Sequence, residues 1–401
     1  MIYFRPVMER KLLCLVVLIA VGCAKLEPAA PADDALLDGP VDGLSGAELA
    51  RFLRGDVAFN DDVFHAGNGL GPVFVATSCG SCHAGDGPGH PFTTLTRFGQ
   101  SDASGNHYLD QGGPQLQNRA IPGVEPETIP GGAPSARFLP PLNTGLGFID
   151  AASDGDILAW ADENDADGDG ISGRPNWVSL KDYSNARPGA MEQGGLYVGR
   201  FGRKSGAYDL LQQTAQAYNQ DIGVVSDYEP IDPYTHEPQD PEVATAVVND
   251  VVFYLRTLKA PIQRNLDDPD VAAGEQVFVA VGCAKCHRPE MTTGDSPIAA
   301  LAHKTFRPFT DLLLHDMGPG LNDGYTEGNA TSAEWRTPAL WGLGLFPDSQ
   351  GGQYFLMHDG RAHSIEEAID MHGGEAQGAR DAFHALPSGE RDQLLTFLKS
   401  L

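Results

Sequence analysis

Two short cysteine motifs constrain this chain more than any other feature of its sequence. CGSCH runs from Cys79 to His83, and CAKCH runs from Cys283 to His287. Cys-x-x-Cys-His is the attachment pattern of c-type haem, in which both sulfurs bond to the porphyrin and the adjacent histidine ligates the iron. Two copies that both end in histidine predict two covalently bound haems c. The predicted attachment and ligand residues are Cys79, Cys82, His83, Cys283, Cys286 and His287.

Two other sites use paired cysteines, and neither suits this pattern. A thioredoxin-like redox pair lies in a strand-helix-strand unit and does not require the following histidine. A four-cysteine zinc site usually places its pairs about 15–20 residues apart, and the gap here is about tenfold longer. Zinc would also leave His83 and His287 unexplained.

Composition bounds the architecture and the partners. A length of 401 residues predicts two domains, and 48 glycines with 29 prolines predict long loops, as expected where a chain wraps a cofactor. A formal charge of −27 makes nucleic acid an improbable partner. It suits a basic redox protein, because opposite charges speed encounter, but it serves simple solubility equally well.

The first residues are typical of an export signal. Arg5, Arg10 and Lys11 precede the apolar run from Leu12 to Val21, which is too short to span a bilayer. The run ends in AVGC, which resembles a bacterial lipobox with Cys23 as the acylated residue, although ordinary secretion stays open. We predict a lipoprotein signal peptide over residues 1–22 and anchoring on the periplasmic side of a bacterial membrane, with the outer membrane favoured. No cysteine then remains for a disulfide.

Capping signals and turn residues divide the rest of the chain. A flexible tether is expected over residues 23–44, which are rich in alanine, proline, aspartate and glycine. Ser45 and Glu48 form a capping box and begin a helix. Residues 241–259, with Pro241 in the first turn, form a second helix. Asp268 followed by Pro269 begins a third, and Ser388 begins the last. The predicted haem domains are 45–260 and 261–401.

The two parts of the chain repeat each other. VFVATSCGSCH matches VFVAVGCAKCH, and RFLPPLNTGLG (137–147) matches WRTPALWGLG (335–344). An internal duplication with one haem in each copy is the simplest explanation. Only the second copy continues into FLMHDGR and SIEEAIDMHGG, so the two haems are expected to have different roles. The predicted fold is mainly α, with two cytochrome c-like haem domains joined by long irregular loops.

At these segments the sequence resembles a known family. GRFGRK, TDLLLHDMGPGL, EWRTPALWGLG, MHDGRAHSIEEAI and HGGEA are similar to the bacterial di-haem cytochrome c peroxidase and MauG-like superfamily. More closely, they resemble its di-haem oxidoreductase branch, often labelled thiol oxidoreductase. The resemblance extends from about residue 50 to the C-terminus. It is specific for the branch and does not name the reaction.

The resemblance implies a division of labour between the haems. The haem on His83 would be open to hydrogen peroxide, and the haem on His287 would be six-coordinate and pass electrons inward. The sixth ligand would follow the HDG motif, which favours His372, with Met317 and Met371 as alternatives. The electron donor would be a small cytochrome or a cupredoxin.

The resemblance leaves the residues around the open haem undecided. Peroxide cleavage needs a carboxylate or amide beside the iron, but the first copy lacks the Trp-Asp-Gly-Arg segment of the peroxidases. The distal candidates are Gln115, Gln117, Glu125, Asp150 and Glu163, with His90 and His107 as displaceable ligands. His315, His358, Asp359 and Arg361 would support the haems. Trp160, Trp335 and Trp341 would relay electrons or pack.

DADGDGISG (165–173) carries a separate signal. Its carboxylates alternate with glycines as in a calcium loop, and the related peroxidases often hold calcium between their haems. The loop lacks the glutamate that closes an EF-hand. Calcium on Asp165, Asp167 and Asp169 is therefore one hypothesis, and a metal-free turn is the other.

Two functions follow from these observations. The first is an enzyme that reduces hydrogen peroxide at the N-terminal haem, or a related one that oxidises a partner protein as MauG-like members do. The second is a lipid-tethered electron carrier whose two irons are both six-coordinate. The unequal copies favour the enzyme, and the missing distal signature favours the carrier.

Overall fold

Helices outweigh strands in this chain, at 34% against 12% of the residues. The computed structural model describes residues 32–35, 37–102 and 105–401. Asp33–Ala35 form a short 3-10 turn, and residues 37–401 form a compact unit. The prediction of a mainly helical chain is confirmed. The predicted boundary near residue 260 stays a prediction.

The predicted export signal lies outside the described residues. Residues 1–22, the lipidation site Cys23 and residues 24–31 of the tether belong to that part of the chain. The end of the tether is attached, since the Val41 amide donates to the Thr257 carbonyl at 2.7 Å and the Lys259 amide donates to the Gly39 carbonyl at 3.0 Å. Within the described ranges, no helix is both long and apolar enough to cross a membrane.

The helices are short to medium in length and are separated by long loops. They are α1 (Gly46–Asn60), α2 (Leu146–Ala151), α3 (Asp154–Ala159), α4 (Leu210–Ile222), α5 (Thr245–Thr257), α6 (Pro269–Ala280), α7 (Phe346–Ser349), α8 (Ile365–Asp370), α9 (Gln377–Ala385) and α10 (Ser388–Ser400).

The strands are brief and antiparallel. They are β1 (Val73–Phe74), β2 (Leu95–Phe98), β3 (Ser101–Asp102), β4 (Gly105–Asn106), β5 (Arg119–Ala120), β6 (Ser135–Phe138), β7 (Trp177–Ser179), β8 (Glu192–Gln193), β9 (Leu196–Val198), β10 (Met291–Thr292), β11 (Thr305–Phe306), β12 (Leu314–Asp316) and β13 (Glu334–Arg336). They pair as β1-β5, β2-β6, β3-β4, β10-β11, β12-β13 and the three-stranded β7-β9-β8.

Of the four predicted helix starts, two are confirmed with their caps and one is wrong. The fourth, Ser388, is the first residue of α10, but Pro387 and not Ser388 holds the cap position. The capping box of Ser45 and Glu48 begins α1, and Asp268 caps α6 with Pro269 in its first turn. Pro241, however, does not begin α5, which starts at Thr245. The amide of Glu242 donates to the Val225 carbonyl at 3.0 Å, so this stretch is held by a neighbouring loop rather than by the helix.

A close helix crossing supports the first cysteine motif. α1 and α5 approach at Gly55, where a Cβ atom would overlap the backbone carbonyl of Asp250. One turn further along each helix, Phe59 packs against Tyr254 with ring centroids 5.6 Å apart. The Phe59 ring also lies 6.0 Å from the His83 imidazole. Glycine is therefore required at position 55, because any side chain would keep the two helix backbones from approaching this closely.

The second motif is supported by a crossing in the same register. α6 and α10 approach at Gly274, where a Cβ atom would overlap the Gln393 carbonyl. One turn further along, Phe278 packs against Phe397 at 5.4 Å and lies 6.5 Å from the His287 imidazole. The glycine, the aromatic pair and the histidine therefore repeat in the same order as in the first copy.

The repeated Gly-rich segments dock on these crossings in the same way. The Gly145 amide donates to the Leu258 carbonyl at 3.2 Å, and the Gly342 amide donates to the Leu401 carbonyl at 2.9 Å. Both glycines have a φ of +74°. A left-handed conformation at both positions explains why glycine occupies each of them.

We expect Gly55→Ala to destabilise the protein, because the added methyl group meets backbone that cannot rotate away. Overpacking of this kind typically costs about 1–3 kcal/mol of unfolding free energy. Urea denaturation of the haem-loaded chain would measure the loss. Gly46→Ala is the matched control, since this residue of the same helix has open space around it. Equal stability of the two variants would contradict the close crossing.

Candidate haem-binding cavity

Both cysteine motifs open into one interior cavity. Its volume is about 700 Å³, and its lining is mostly apolar. Cys79, Cys82 and His83 line it from the first copy, and Cys283, Cys286 and His287 line it from the second. The structure therefore brings together the six residues that the motifs predict.

The first motif presents a neutral imidazole to this cavity. The His83 amide donates to the Cys79 carbonyl at 3.0 Å, which closes a turn between the cysteine and the histidine. Burial lowers the pKa of His83 to about 4, and the Pro141 carbonyl only partly offsets this effect. Nδ1 of His83 is buried and makes no hydrogen bond within the described part of the chain. Such an uncharged side chain is suited to ligate a metal.

In the second motif a hydrogen bond fixes the orientation of the histidine. Nδ1 of His287 lies 3.0 Å from the Phe309 carbonyl. A carbonyl only accepts, so Nδ1 carries the proton and Nε2 keeps its lone pair for a metal. Burial and then the nearby His372 lower the pKa of His287 to about 4. Phe309 itself has a φ of +56°, a left-handed conformation unusual for a bulky side chain, and its carbonyl fixes the imidazole.

Three of the four motif thiols are poor nucleophiles in this setting. Burial raises the pKa of Cys79 to about 12, that of Cys82 to about 11 and that of Cys283 to about 12. Reactive cysteines need a lowered pKa, because the thiolate is the attacking species. Among the described cysteines none forms a disulfide. These properties suit covalent attachment of a cofactor better than thiol redox chemistry.

His372 lies across the cavity from the second motif. Its Nδ1 bonds to the Ala368 carbonyl at 2.7 Å, and its approach is close enough to help lower the pKa of His287. Met317 also lines the cavity, whereas Met371 packs into the hydrophobic cluster around α6 and α10. This geometry favours His372 over the two methionines as a sixth ligand, which stays a prediction.

His315 is held as a cation beside the second motif. Its Nε2 lies 2.9 Å from Asp311, and its Nδ1 lies 2.7 Å from Glu375. Burial alone would lower the pKa of His315, but hydrogen bonds to Asp311, Cys286 and Glu375 raise it to about 12. An imidazolium with both nitrogens engaged is a structural support and not an iron ligand.

His358 forms a different support. Its imidazole stacks on Trp335 at a centroid distance of 3.7 Å, and its Nε2 bonds to Asp323 at 2.7 Å. Arg361 pairs with Asp359 and with the same Asp323. Trp335 and His358 both line the cavity, as the predicted supporting residues should.

Two partly buried arginines in the cavity wall were not identified by the sequence analysis. Arg203 donates to the Leu139 carbonyl at 2.5 Å, and Arg336 donates to the Gly202 carbonyl at 3.0 Å. Burial and the neighbouring arginine lower the pKa of Arg203 to about 9, and burial lowers that of Arg336 to about 10. No salt bridge to a carboxylate is found for either residue in the described ranges. Haem carries two carboxylates, which these two cations are suited to bind. The sequence signals that could have identified the arginines are the segments GRFGRK and EWRTP, which contain them.

The five distal candidates do not line the cavity. Gln115 and Gln117 cap the C-terminal end of α4 through the Gln220 carbonyl, each at 3.0 Å. Asp150 pairs with Arg256 at 2.7 Å. Glu125 and Glu163 are exposed. The geometry therefore gives no support to these residues as a group beside the first haem.

The other candidates are divided between the cavity and the surface. Trp335 and Trp341 line the cavity, whereas Trp160 does not. His90 accepts from the Phe92 amide within its own turn, and His107 is exposed. Neither histidine lies among the cavity residues.

The acidic loop converges, although not on the predicted trio. Side-chain oxygens of Asp162, Asp165 and Asp167 lie within 4.8 Å of one another. Asp169 instead pairs with Lys285, which lies within the second motif, at 2.9 Å. Asp162 therefore takes the place of Asp169 in the predicted trio. Its carboxylate is held against the loop because it accepts hydrogen bonds from the Ala166 and Asp167 amides.

Comparisons with known proteins decide the family. The model of the family described as "Di-haem oxidoreductase, putative peroxidase" matches residues 33–96 and 135–401. The chain belongs to the di-haem oxidoreductase family. This membership confirms the resemblance, and it agrees with a cavity that holds two haem-attachment motifs.

Two further comparisons carry less weight. No curated protein sequence matches the chain. A solved structure of Kuenenia stuttgartiensis hydrazine synthase, pressurized with 20 bar xenon, is 14% identical and has a TM-score of 0.34. The match covers 94% of this chain and 98% of the other. At that TM-score it carries no argument about this oxidoreductase.

A buried carboxyl behind the first motif makes stability depend on pH. Asp86 is 2% exposed, and its Oδ2 accepts from the Tyr254 hydroxyl at 2.7 Å. Burial raises the pKa of Asp86 to about 7, from 3.8. The folded state therefore prefers the protonated acid, and this stability is lost as pH rises through about 7.

We expect Asp86→Asn to unfold at higher urea than the wild type at pH 8, by on the order of 3 kcal/mol, because the neutral amide removes the burial of a charge. The difference should shrink towards pH 5. Urea titrations at both pH values measure it, with the exposed Asp61→Asn as the control. A pH-independent difference would contradict the raised pKa.

Proposed function

We propose that this oxidoreductase binds two haems c and reduces hydrogen peroxide at the first one, with electrons supplied through the second. One observation carries the proposal: both motifs open on the same cavity, where His372 lies close enough to His287 to help lower its pKa, whereas among the described residues no histidine acts on His83 in this way. Two sites that share a scaffold but differ in their open side suit two different roles.

The chain's own residues would hold the groups in place. Cys79 and Cys82 anchor one haem, and Cys283 and Cys286 anchor the other. Bound haem supplies iron that takes up and releases single electrons. His83 and His287 offer neutral imidazoles, and the partly buried Arg203 and Arg336 would meet the haem carboxylates. Reduction of peroxide to two waters takes two electrons and two protons, which suits a pair of one-electron groups.

The matching helix crossings and Gly-rich segments support an internal duplication. Gly55 with Phe59 and Gly274 with Phe278 occupy the same places in the two crossings. We infer two cytochrome c-like units, each built on one crossing. An internal duplication would explain why two similar scaffolds hold haems in different surroundings.

The proposed partner is a basic electron donor of the size of a small cytochrome or a cupredoxin. A formal charge of −27 would steer such a protein to this one at low ionic strength. We also propose that Cys23 carries lipid and holds the enzyme on the periplasmic side of a bacterial membrane. The lipobox-like AVGC supports this location.

A second function has one observation in its favour. None of the five predicted distal residues lines the cavity. If the carboxyls that do line the cavity, such as Asp221 and Glu327, transfer no proton beside the first haem, the protein would carry electrons and not turn over peroxide. Turnover measurements separate this carrier from the enzyme.

We expect the haem-loaded protein to oxidise a reduced basic cytochrome c when hydrogen peroxide is added, and Cys79→Ala/Cys82→Ala to abolish this reaction, because the first haem is lost. The loss should exceed 100-fold in rate. Met371→Leu is the control, since Met371 does not line the cavity. A pyridine haemochrome assay confirms two haems per chain in the wild type and the control. A fully loaded wild type that never oxidises the donor would rule out the enzyme.

Calcium in the acidic loop is a separate proposal. Asp162, Asp165 and Asp167 bring carboxylates within ligand distance of one another, and calcium takes oxygen ligands of this kind. We expect EGTA to lower the thermal midpoint by several degrees and added calcium to restore it. Asp167→Asn should remove the response, and the exposed Asp110→Asn should keep it. An EGTA-insensitive wild type would leave a metal-free turn.

A further inference from the structure

A short hairpin precedes a helix in both copies. Phe201 and Ala207 are joined by backbone hydrogen bonds of 3.1 and 3.2 Å, and Leu356 and Ala362 are joined by bonds of 2.8 and 3.4 Å. In both hairpins the joined residues have the same spacing. The two segments therefore correspond residue for residue if their turns also match.

The turns do match in backbone conformation. Gly202 has a φ of +82°, and Met357, at the same place in the second hairpin, has +71°. Ser205 has a φ of +55°, and its counterpart Gly360 has +84°. Left-handed residues are uncommon outside glycine. Their presence at both pairs of positions fixes the correspondence.

The helices after the hairpins begin in the same register. Asp209 caps α4 by accepting from the Gln212 amide at 2.7 Å. Ser364 caps α8 by accepting from the Glu367 amide at 3.0 Å. Each cap is the second residue after its hairpin alanine, so α4 and α8 correspond from their first residues.

Reciprocal hydrogen bonds tie the hairpins to the opposite copies. The Leu139 amide donates to the His358 carbonyl at 2.7 Å, and the Arg336 amide donates to the Arg203 carbonyl at 3.0 Å. His358 and Arg203 hold the same hairpin position, and Leu139 and Arg336 hold the same place in the repeated Gly-rich segments. An exchange of this kind is expected of two copies related by an approximate two-fold axis.

This correspondence overturns one inference from the sequence. The first copy does not lack a counterpart of FLMHDGR and SIEEAIDMH. The counterpart is FGRKSGAYDLLQQTAQA (201–217). The sequence does not reveal it because the connection from the Gly-rich segment is much longer here, residues 148–200 against 345–355 in the second copy, and because the cavity-lining residues of the two segments differ.

We propose that Ala217 holds, opposite His83, the position that His372 holds opposite His287, and that a small exogenous ligand binds in the space left by the shorter side chain. The cavity-lining residues of the two helices support this pairing. Four corresponding pairs line the cavity: Leu210, Gln213, Thr214 and Ala217 on α4 match Ile365, Ala368 and Ile369 on α8 and His372 just beyond its end. From α4 the lining also includes Gln216, Tyr218, Asp221 and Ile222. The inference rests on the proposed function and identifies its open side.

Two hydroxyls on α4 face the same region without a partner. Thr214 and Tyr218 are buried and line the cavity. Their hydroxyl oxygens make no hydrogen bond among the residues that the structure describes. A buried hydroxyl is costly to leave unpaired. These two groups would therefore hydrogen-bond the ligand beside Ala217, which suits water or hydrogen peroxide.

The test exchanges the two positions and measures ligand binding in place of turnover. The ferric protein is titrated with cyanide, and the spin state of each haem is followed by EPR. We expect the wild type to show one high-spin haem and to bind a single cyanide. Ala217→His should become fully low-spin and lose cyanide binding more than 100-fold. His372→Ala should bind a second cyanide.

Gln220→His is the matched control, because this α4 residue does not line the cavity. It should bind cyanide as the wild type does. Thr214→Val should weaken cyanide binding several-fold with the spin state unchanged. Circular dichroism and the haem count ensure that each variant is folded and loaded.

The outcomes separate this inference from the proposed function. A loaded Ala217→His variant that keeps the wild-type high-spin signal and cyanide affinity would overturn the placement of Ala217. Unchanged affinity in Thr214→Val would overturn the role of that hydroxyl. A wild type that shows the expected ligation but no peroxide turnover would contradict the proposed function and leave the placement of Ala217 standing.

Discussion

The architecture depends on keeping an imidazole neutral, buried and correctly aimed. A protonated or freely rotating histidine is a poor iron ligand. Here burial lowers the pKa of both motif histidines to about 4, and the Phe309 carbonyl orients His287. Each imidazole also lies beside a phenylalanine from a helix crossing that only glycine permits. The crossings, the motifs and the cavity therefore form one arrangement.

Charges around the cavity are arranged differently near the two motifs. The second motif has a cationic His315 between Asp311 and Glu375. Between the copies lie the partly buried Arg203 and Arg336, whose hydrogen bonds go to backbone carbonyls. Cations withdrawn from water need compensation. Bound carboxylates from a cofactor would supply it, which links the stability of the fold to haem loading.

The sequence predicted much of the local structure because a helix start depends on residues that lie within a few positions of one another in the chain. The capping box at Ser45 and the Asp268-Pro269 start were readable from neighbouring residues. The helix start predicted at Pro241 was wrong because the next residue, Glu242, donates its amide to the Val225 carbonyl of a distant loop. The prediction of Gln115 and Gln117 as distal residues gains no support for a similar reason. Their side-chain amides donate to the Gln220 carbonyl near the end of α4.

By itself the sequence determined the cofactor class, since Cys-x-x-Cys-His specifies haem attachment through residues that adjoin one another, and it determined the family. Only the tertiary structure showed that the segments 201–217 and 356–372 correspond. That assignment depends on backbone conformation at Gly202 and Met357 and on bonds that join the copies, such as those of Leu139 and Arg336. Side chains that share no sequence pattern, such as Ala217 and His372, correspond only because the backbone places them alike.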